Sequence, residues 1–210
     1  MARPRSVTDQ TIIAEAYNLI MEQGPTALTF EQLGVRVGLV AAALVRRFTT
    51  KKQLLLEVDR YAVERTDAKV REAMSKTSSP IDAIVAQFTT ELGFASSVKG
   101  FINGQEFLLM DLRDKDLYTN YRTSFQHRHQ QIMKLLQQAQ DTGELKEIED
   151  VPRLARHLQM ILHGSGHVWA MTEEAPIERY ISDHVQLALA PYRTKHSKTT
   201  TSSDFSDKLT

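Results

Sequence analysis

The chain has 210 residues, of which 41% are hydrophobic and 25% are charged, a balance that is typical of a globular protein. No apolar run approaches the roughly 20 residues of a membrane-spanning helix, and the absence of cysteine excludes disulfides and thiolate metal sites. The net charge is zero, but residues 1–52 carry three excess positive charges and the remainder three excess negative ones, which suits phosphate contact by the N-terminal segment.

Helical periodicity runs through the chain and no segment alternates as a strand does, so we predict an all-α protein of about nine helices. The first helix is expected over residues 8–23, where Gly24-Pro25 ends it. Later apolar helical segments are expected near residues 51–74, 81–95, 98–112, 116–141, 151–172 and 177–190. The Ser- and Thr-rich residues 195–210 are expected to be a disordered tail.

Two short helices around a glycine form the most specific pattern in the sequence. Thr29, followed three residues later by Gln32, is a capping box for one helix, and Gly38 supplies the turn into the next, over residues 41–48. Gly34 is expected on the inner side of the first of these helices, where the missing Cβ permits close contact. This order is typical of a helix-turn-helix, which places its second helix in the DNA major groove.

The side chains around that second helix suit double-stranded DNA. Arg46 and Arg47 can bond guanine edges or phosphates, and the two lysines that follow stand at a helix start, where backbone N–H groups also favour phosphate. An arginine arm at the N-terminus is a candidate for the minor groove. The predicted DNA-contacting residues are Arg3, Arg5, Thr29, Val40, Ala41, Ala42, Val45, Arg46, Arg47, Lys51 and Lys52.

Residues 12–24, Ile-Ile-Ala-Glu-Ala-Tyr-Asn-Leu-Ile-Met-Glu-Gln-Gly, resemble the first helix of the tetracycline-repressor-like (TetR) family. Further positions that resemble the family are Thr29, Phe30, Leu33, Gly38, Leu39, Leu44, Phe48, Lys51 and Leu54. The resemblance implies an N-terminal three-helix DNA-binding domain (1–52) and a C-terminal helical domain for ligand binding and dimerisation (53–194). It also implies a homodimeric repressor that binds a palindromic operator and is released by a small apolar or amphipathic effector.

The sequence departs from the family pattern on the face that would read DNA. Val40 stands where the family often has a capping serine or threonine, Ala41 where a polar residue is common, and Val45 where a tyrosine usually contacts phosphate. This face is unusually apolar and offers few hydrogen bonds to base edges. The alternative function is therefore that of a degenerate family member, a protein-interaction module without specific DNA binding.

The body is rich in aromatic and methionine side chains, which either line an effector pocket or simply form core. The predicted ligand-binding residues are Phe94, Phe101, Phe107, Met110, Tyr121, Phe125, His129 and Trp169. Apolar stripes on the last two helices predict a four-helix interface between two copies. The predicted dimer-interface residues are Leu158, Leu162, Gly166, Ile181, Val185 and Leu189.

Other function classes lack support in the sequence. His163 and His167 have metal-ligand spacing on one helix, but no cysteine or suitably spaced carboxylate joins them, so no metal site and no cofactor are expected. No Gly-rich phosphate loop or nucleophile elbow is present, so an enzyme is not expected. The N-terminus, Met-Ala-Arg-Pro-Arg-Ser, has no apolar stretch typical of a secretory signal, so we expect a cytoplasmic protein without a membrane partner.

Overall fold

The computed structural model describes residues 7–92 and 97–194, with Asp111 described by its backbone alone. The described residues form nine α-helices and two short 3-10 turns, Pro25–Ala27 and Ala190–Tyr192, which confirms the all-α prediction. The helices are α1 (Asp9–Gln23), α2 (Phe30–Val37), α3 (Ala41–Phe48), α4 (Lys51–Met74), α5 (Pro80–Leu92), α6 (Val98–Arg113), α7 (Lys115–Asp141), α8 (Val151–Thr172) and α9 (Ile177–Leu189). No helix among the described residues is both long and apolar enough to cross a membrane.

Side-chain caps explain why the N-terminal helices start where they do. The hydroxyls of Thr8, Thr29 and Thr50 each accept a hydrogen bond from the backbone N–H three residues later, at 3.1, 3.1 and 3.2 Å. Each bond satisfies one of the N–H groups that a helix start leaves without an intrahelical partner. Val40 precedes α3 in the extended conformation of a cap residue but provides no side-chain bond, as the sequence predicts.

Two glycines shape the turn between α2 and α3. Gly38 ends α2 in the left-handed conformation, with φ 69° and ψ 32°, which an L side chain rarely adopts. Gly34 is buried, and a Cβ built on it would overlap the carbonyl oxygen of Leu39 and lie 3.6 Å from the backbone nitrogen of Ala41. The predicted close contact at Gly34 is therefore confirmed, and its partner is the backbone that leads into α3.

Buried apolar side chains fall into two clusters. The head cluster joins α1, α2, α3 and the first half of α4, and it also receives Phe107 from α6. The body cluster joins α5 to α9, with Phe88, Ile132, Leu136, Leu158 and Ile181 among its most buried members. Because Phe107 belongs to the head cluster, α6 connects the two parts of the chain.

The six residues predicted for a dimer interface lie inside this chain's own core. Leu158, Leu162, Ile181, Val185 and Leu189 are between 0% and 5% exposed and belong to the body cluster. Gly166 is also buried, and a Cβ built there would lie 2.8 Å from Cζ of Phe101 on α6. The prediction is corrected accordingly: the stripes of α8 and α9 hold one chain together, and the small residue lets α6 approach α8.

Candidate nucleic-acid interface and ligand cavity

The exposed side of α3 and its cap, formed by Val40, Ala42, Val45 and Arg46, is here named the reading face. Val40 is 71% exposed and Val45 is 43% exposed, while Leu44 and Phe48 on the opposite side are buried in the head cluster. No acidic residue occurs between Ala41 and Phe48, so the face has no fixed negative charge to repel phosphate. A single exposed helix with one arginine and small apolar groups fits the shape of a major groove.

Arg47 and Arg46 differ in their partners. The Nη1 atom of Arg47 donates to the carbonyl oxygen of Val7 at 2.7 Å and to Oδ1 of Asp9 at 3.0 Å. These bonds tie the end of α3 to the start of α1. Arg46 is exposed and forms no ion pair with the described residues. Arg46 is therefore the arginine of α3 whose guanidinium is available to DNA without loss of an existing contact.

The two lysines at the start of α4 also have partners within the chain. Nζ of Lys51 donates to the carbonyl oxygen of Pro25 at 3.2 Å. Nζ of Lys52 lies 2.9 Å from Oδ2 of Asp114 and 2.8 Å from Oδ2 of Asp116, at the start of α7. The hydrogen bonds that Nζ donates to the carboxylates of Asp116 and Asp114 raise the pKa of Lys52. Lys52 thus links α4 to α7, a role that the sequence analysis did not predict.

The other residues predicted to contact DNA cap α2, lie beside the reading face or fall outside the described part of the chain. The hydroxyl of Thr29 is occupied by the α2 cap, although the side chain is only partly buried. Ala41 is half-buried beside the reading face. Arg3 and Arg5 lie outside the described residues, and so do residues 195–210.

A cavity of about 170 Å³ lies where the head cluster meets the body cluster. Its walls come from six helices: α1, α4, α5, α6, α7 and α8. Of the predicted ligand-binding residues, Phe107 of α6 and Tyr121 of α7 line it, together with Tyr17 and Met21 of α1. A ligand here would contact the helix that opens the DNA-binding head and the helices of the body at the same time.

Five other residues predicted to bind ligand lie elsewhere. Phe101 and Trp169 pack edge to face, with ring centroids 6.4 Å apart, and Nε1 of Trp169 donates to the carbonyl oxygen of Ala175 at 2.8 Å. Met110 packs against the head cluster. These three side chains therefore pack in the core and do not line the cavity. An aromatic or methionine stripe in a sequence does not by itself distinguish core residues from pocket residues. Phe94 lies outside the described residues.

The last two of the five surround Gln159, which is buried on α8. Nδ1 of His129 lies 3.0 Å from Oε1 of Gln159, and Nε2 of Gln159 donates to the carbonyl oxygen of Phe125 at 3.1 Å. Burial, and then the charge of Arg156, lower the pKa of His129. This network joins α7 to α8 beside the cavity and is not part of its lining.

The cavity has a charged lining that was not predicted from the sequence. Oε2 of Glu91 lies 3.5 Å from Nε of Arg128, and Nε2 of Gln87 donates to Oε1 of Glu91 at 2.9 Å. Burial raises the pKa of Glu91, while the charge of Arg128 opposes the rise. Burial, followed by the charge of Arg128, lowers the pKa of His163, which favours a neutral imidazole in the cavity wall.

Asp59 of α4 is the second carboxylate of the lining. The residue is only 5% exposed, and its Oδ2 has no hydrogen-bond partner among the described residues. Asn120 hydrogen-bonds the carboxylate, but burial is the largest effect and raises the pKa of Asp59. The signal was present in the sequence: Leu55, Asp59 and Ala62 follow one another at i, i+4 and i+7, so the acid occupies an apolar stripe.

No group of three or more histidine, aspartate or glutamate side chains in the described part of the chain is arranged to hold a metal ion. His163 lies in the cavity wall. Nδ1 of His167 lies 3.0 Å from the backbone oxygen of His163, so the i, i+4 spacing places the second ring against its own helix backbone.

Comparison with known proteins agrees with this arrangement. The family model for bacterial regulatory proteins of the tetR family matches residues 12–58. The chain is 29% identical over 151 residues to the uncharacterized HTH-type transcriptional regulator YdeS of Bacillus subtilis (strain 168), covering 71% of this chain and 73% of YdeS.

Two solved structures share the fold. SmeT, the repressor of the Stenotrophomonas maltophilia multidrug efflux pump SmeDEF, has a TM-score of 0.67 at 19% identity, covering 92% of this chain and 94% of SmeT. A Saccharomonospora viridis transcriptional regulator in complex with choline has a TM-score of 0.73 at 16% identity, covering 83% and 91%. The matched family is one of transcriptional regulators and not of enzymes. The helix-turn-helix of α2 and α3 and the family match over residues 12–58 assign the head of this chain to the tetR family of bacterial regulatory proteins, and the helical body shares the fold of the solved regulators.

Proposed function

We propose that the protein is a repressor that binds a palindromic operator as a homodimer and leaves it when a small molecule fills the cavity. The observation that carries this proposal is the position of the cavity: Tyr17 and Met21 of α1, on the head side, share its wall with Leu92 and Leu162 of the body cluster. A ligand that changes the spacing between these walls also changes the orientation of the head. The choline complex of the Saccharomonospora viridis regulator and the repressor role of SmeT support the proposal.

On the DNA side, Arg46 is the main polar contact and Val40, Ala42 and Val45 supply apolar contact with thymine methyl groups. Arg47 holds α3 in position through its hydrogen bonds to Val7 and Asp9, and it is not the main contact with DNA. The reading face thus depends on one arginine and on shape, whereas the sequence predicts DNA contact by both arginines of α3 and by the two lysines at the start of α4.

The homodimer forms through the outward side of α8 and α9, here named the outer stripe: Met160, Gly164, Val168 and Met171 of α8 with Leu187 of α9. Met160, Val168, Met171 and Leu187 are 59%, 51%, 87% and 70% exposed. The α8 residues are spaced four, four and three positions apart and share one face opposite the buried stripe. Exposed apolar groups on two adjacent helices are suited to packing against a second copy, and a twofold axis would pair two reading faces.

Release follows from coupling through the contacts between head and body. Nδ2 of Asn103 on α6 donates to the carbonyl oxygen of Met21 at the end of α1, at 2.8 Å. Lys52 bridges α4 to Asp114 and Asp116 on α7. When a ligand pushes α1 and α4 away from α6 and α7, these links move the two heads out of the spacing that successive half-sites require.

The DNA proposal is tested with Arg46→Ala and the control Arg122→Ala, which removes an exposed arginine of α7 in the body. Operators selected from random duplexes are titrated at several salt concentrations by fluorescence anisotropy. We expect Arg46→Ala to weaken operator binding by about 1–3 kcal/mol if Arg46 bonds a base, or to reduce the salt slope by about 1 if it bonds a phosphate. Arg122→Ala should change neither quantity, and wild-type affinity in Arg46→Ala would overturn the assignment.

The dimer proposal is tested by sedimentation velocity at micromolar protein. Met160→Glu and Val168→Glu should shift the population from dimer to monomer, because each buries a charge in an apolar interface. Ile102→Glu is the matched control, since Ile102 is 48% exposed on α6, outside the outer stripe. A wild-type monomer, or dimers that survive both outer-stripe substitutions, would contradict the proposal.

A further inference from the structure

We propose that the cavity selects a small protonated amine, whose positive charge lies against the Asp59 carboxylate and whose N–H group donates to that carboxylate. The inference rests on the proposed function, in that it takes the cavity as the effector site, and it adds the chemical class of the effector. Neutral alcohols and carboxylates of the same size are expected to bind the cavity more weakly than the amine.

The first observation is that one carboxylate oxygen of Asp59 accepts no hydrogen bond from the described residues. Oδ2 of Asp59 is buried in the lining and has no hydrogen-bond partner in the described chain, although Asn120 hydrogen-bonds the carboxylate. Buried polar oxygens in folded proteins nearly always have a partner. An N–H group from a bound molecule would supply the missing donor, and a positively charged one forms the stronger bond.

The second observation is the charge balance of the lining. The charged lining residues are Asp59, Glu91 and Arg128. Glu91 is occupied by Arg128 and by the amide of Gln87. Burial lowers the pKa of His163, which lines the same cavity, and so favours its neutral form. The pairing of Glu91 with Arg128 leaves one carboxylate uncompensated in the wall, so a monocation balances the site and an anion does not.

Positive groups near Asp59 do not provide that balance. Arg60, the next residue along α4, is exposed and donates to Oε1 of Glu57 at 2.8 Å. Arg128 also acts on Asp59 through its charge, but its Nε is directed at Glu91. Both cations are therefore engaged with other carboxylates.

The third observation is the aromatic content of the same wall. Phe107 and Tyr121 line the cavity together with Met21 and Leu108. Tyr17 also lines it, but the guanidinium of Arg65 already lies 5.0 Å from the centroid of its ring. Aromatic faces attract organic cations more strongly when water is excluded. The cavity, about 170 Å³, is small beside typical drug-sized sites. These features fit an amine with one compact apolar group.

The test compares three probes of nearly equal shape on the full-length protein: 2-phenylethylammonium, 2-phenylethanol and phenylacetate. Binding is measured by calorimetric titration, without DNA. We expect the ammonium to bind wild type about tenfold or more tighter than the alcohol, and phenylacetate to bind weakest, given the strength of hydrogen bonds to charged groups. This ranking tests the proposal on the unmodified chain, independently of whether any variant folds.

Two variants then assign the preference to its residue. Asp59→Asn keeps the side-chain shape and should reduce the preference for ammonium over alcohol to about twofold or less, as expected for a neutral acceptor. Glu64→Gln removes an exposed carboxylate of the same helix outside the cavity and should keep the wild-type preference. Retention of the full preference in Asp59→Asn would overturn the role of Asp59.

The outcomes separate this inference from the proposed function. If the alcohol binds wild type as tightly as the ammonium, or phenylacetate binds tightest, the amine class is wrong while the cavity remains a ligand site. If none of the three binds at millimolar concentration, the inference is overturned. If 2-phenylethylammonium binds through Asp59 but leaves an operator complex intact, the amine site stands and the proposed release mechanism fails.

Discussion

Replacement of Gly34 by alanine tests whether the α2–α3 turn is determined by one close backbone contact. A Cβ at this position overlaps the carbonyl oxygen of Leu39, which belongs to the backbone and cannot rotate away as a side chain can. Alanine is favoured over glycine inside a helix by about 1 kcal/mol, whereas forced overlap in a packed site costs about 1–3 kcal/mol and sometimes more. Because the overlapping atom belongs to the backbone and the turn must open to relieve the overlap, we place the cost in the upper part of that range, at about 2–3 kcal/mol. We therefore expect a net loss of about 1–2 kcal/mol in the free energy of unfolding.

The assay is urea denaturation followed by circular dichroism, with a thermal scan as a second measure. For a chain of this size the expected loss lowers Tm by about 2–8 °C. Val35→Ala is the matched control, because Val35 is 85% exposed on the same helix and its replacement should leave stability unchanged or slightly higher. Operator affinity should also fall in Gly34→Ala, since the displaced segment leads into α3. A Gly34→Ala protein as stable as the Val35→Ala control would refute the reasoning.

Three further substitutions have expected outcomes. Val40→Ser should raise the free energy of unfolding by about 1 kcal/mol, because it supplies the missing α3 cap at a side chain that is 71% exposed; urea midpoints at or below wild type would contradict this. Asp59→Asn should be more stable than wild type near pH 7 but not at about pH 4. Burial raises the pKa of Asp59 in the folded state, so the wild type loses stability as pH rises through that pKa, and the asparagine variant does not. A difference between the two proteins that does not change with pH in urea titrations would be inconsistent with a buried carboxyl. Gly166→Ala should lose about 1–3 kcal/mol by pushing against Phe101, which packs on Trp169, so tryptophan fluorescence should report both the loss and the shift; an unchanged spectrum and midpoint would exclude the contact.

The helices could be predicted from the sequence because their starts are decided locally. Thr8, Thr29 and Thr50 each act within three residues, and Gly38 sets its turn through its own backbone angles. These signals depend on neighbours in the chain and not on the tertiary fold. The predicted helix starts agree with the structure to within one residue.

The partners of charged side chains could not be predicted in this way. Arg47 finds its acceptors 40 and 38 positions away, at Val7 and Asp9, and Lys52 pairs with Asp114 on a distant helix. Periodicity says which residues share a helix face but not which element covers it. The stripe that includes Leu158 and Ile181 was therefore assigned to a second copy, although the chain's own core uses it.

The sequence predicted a pocket lined by aromatic side chains, but it did not predict most of the residues that line the cavity. Aromatic content pointed to Phe107 and Tyr121, which do line the cavity, and equally to Phe101 and Trp169, which pack in the core. The acid within the apolar stripe of α4, Asp59, was the more specific signal because a buried charge is rare unless it has a partner. In this sequence the single carboxylate within the apolar stripe therefore points to the cavity more specifically than aromatic content does.

The measurement that tests the central claim most directly is selection of duplexes by the wild-type protein from a random library, followed by a salt titration of the enriched sequence. A dimer that presents two α3 reading faces should enrich a palindrome with half-sites about 10 base pairs apart, or a multiple of that spacing. Its affinity should fall steeply as salt increases. Absence of any enriched sequence would contradict the account and favour a family member that acts through protein contacts alone.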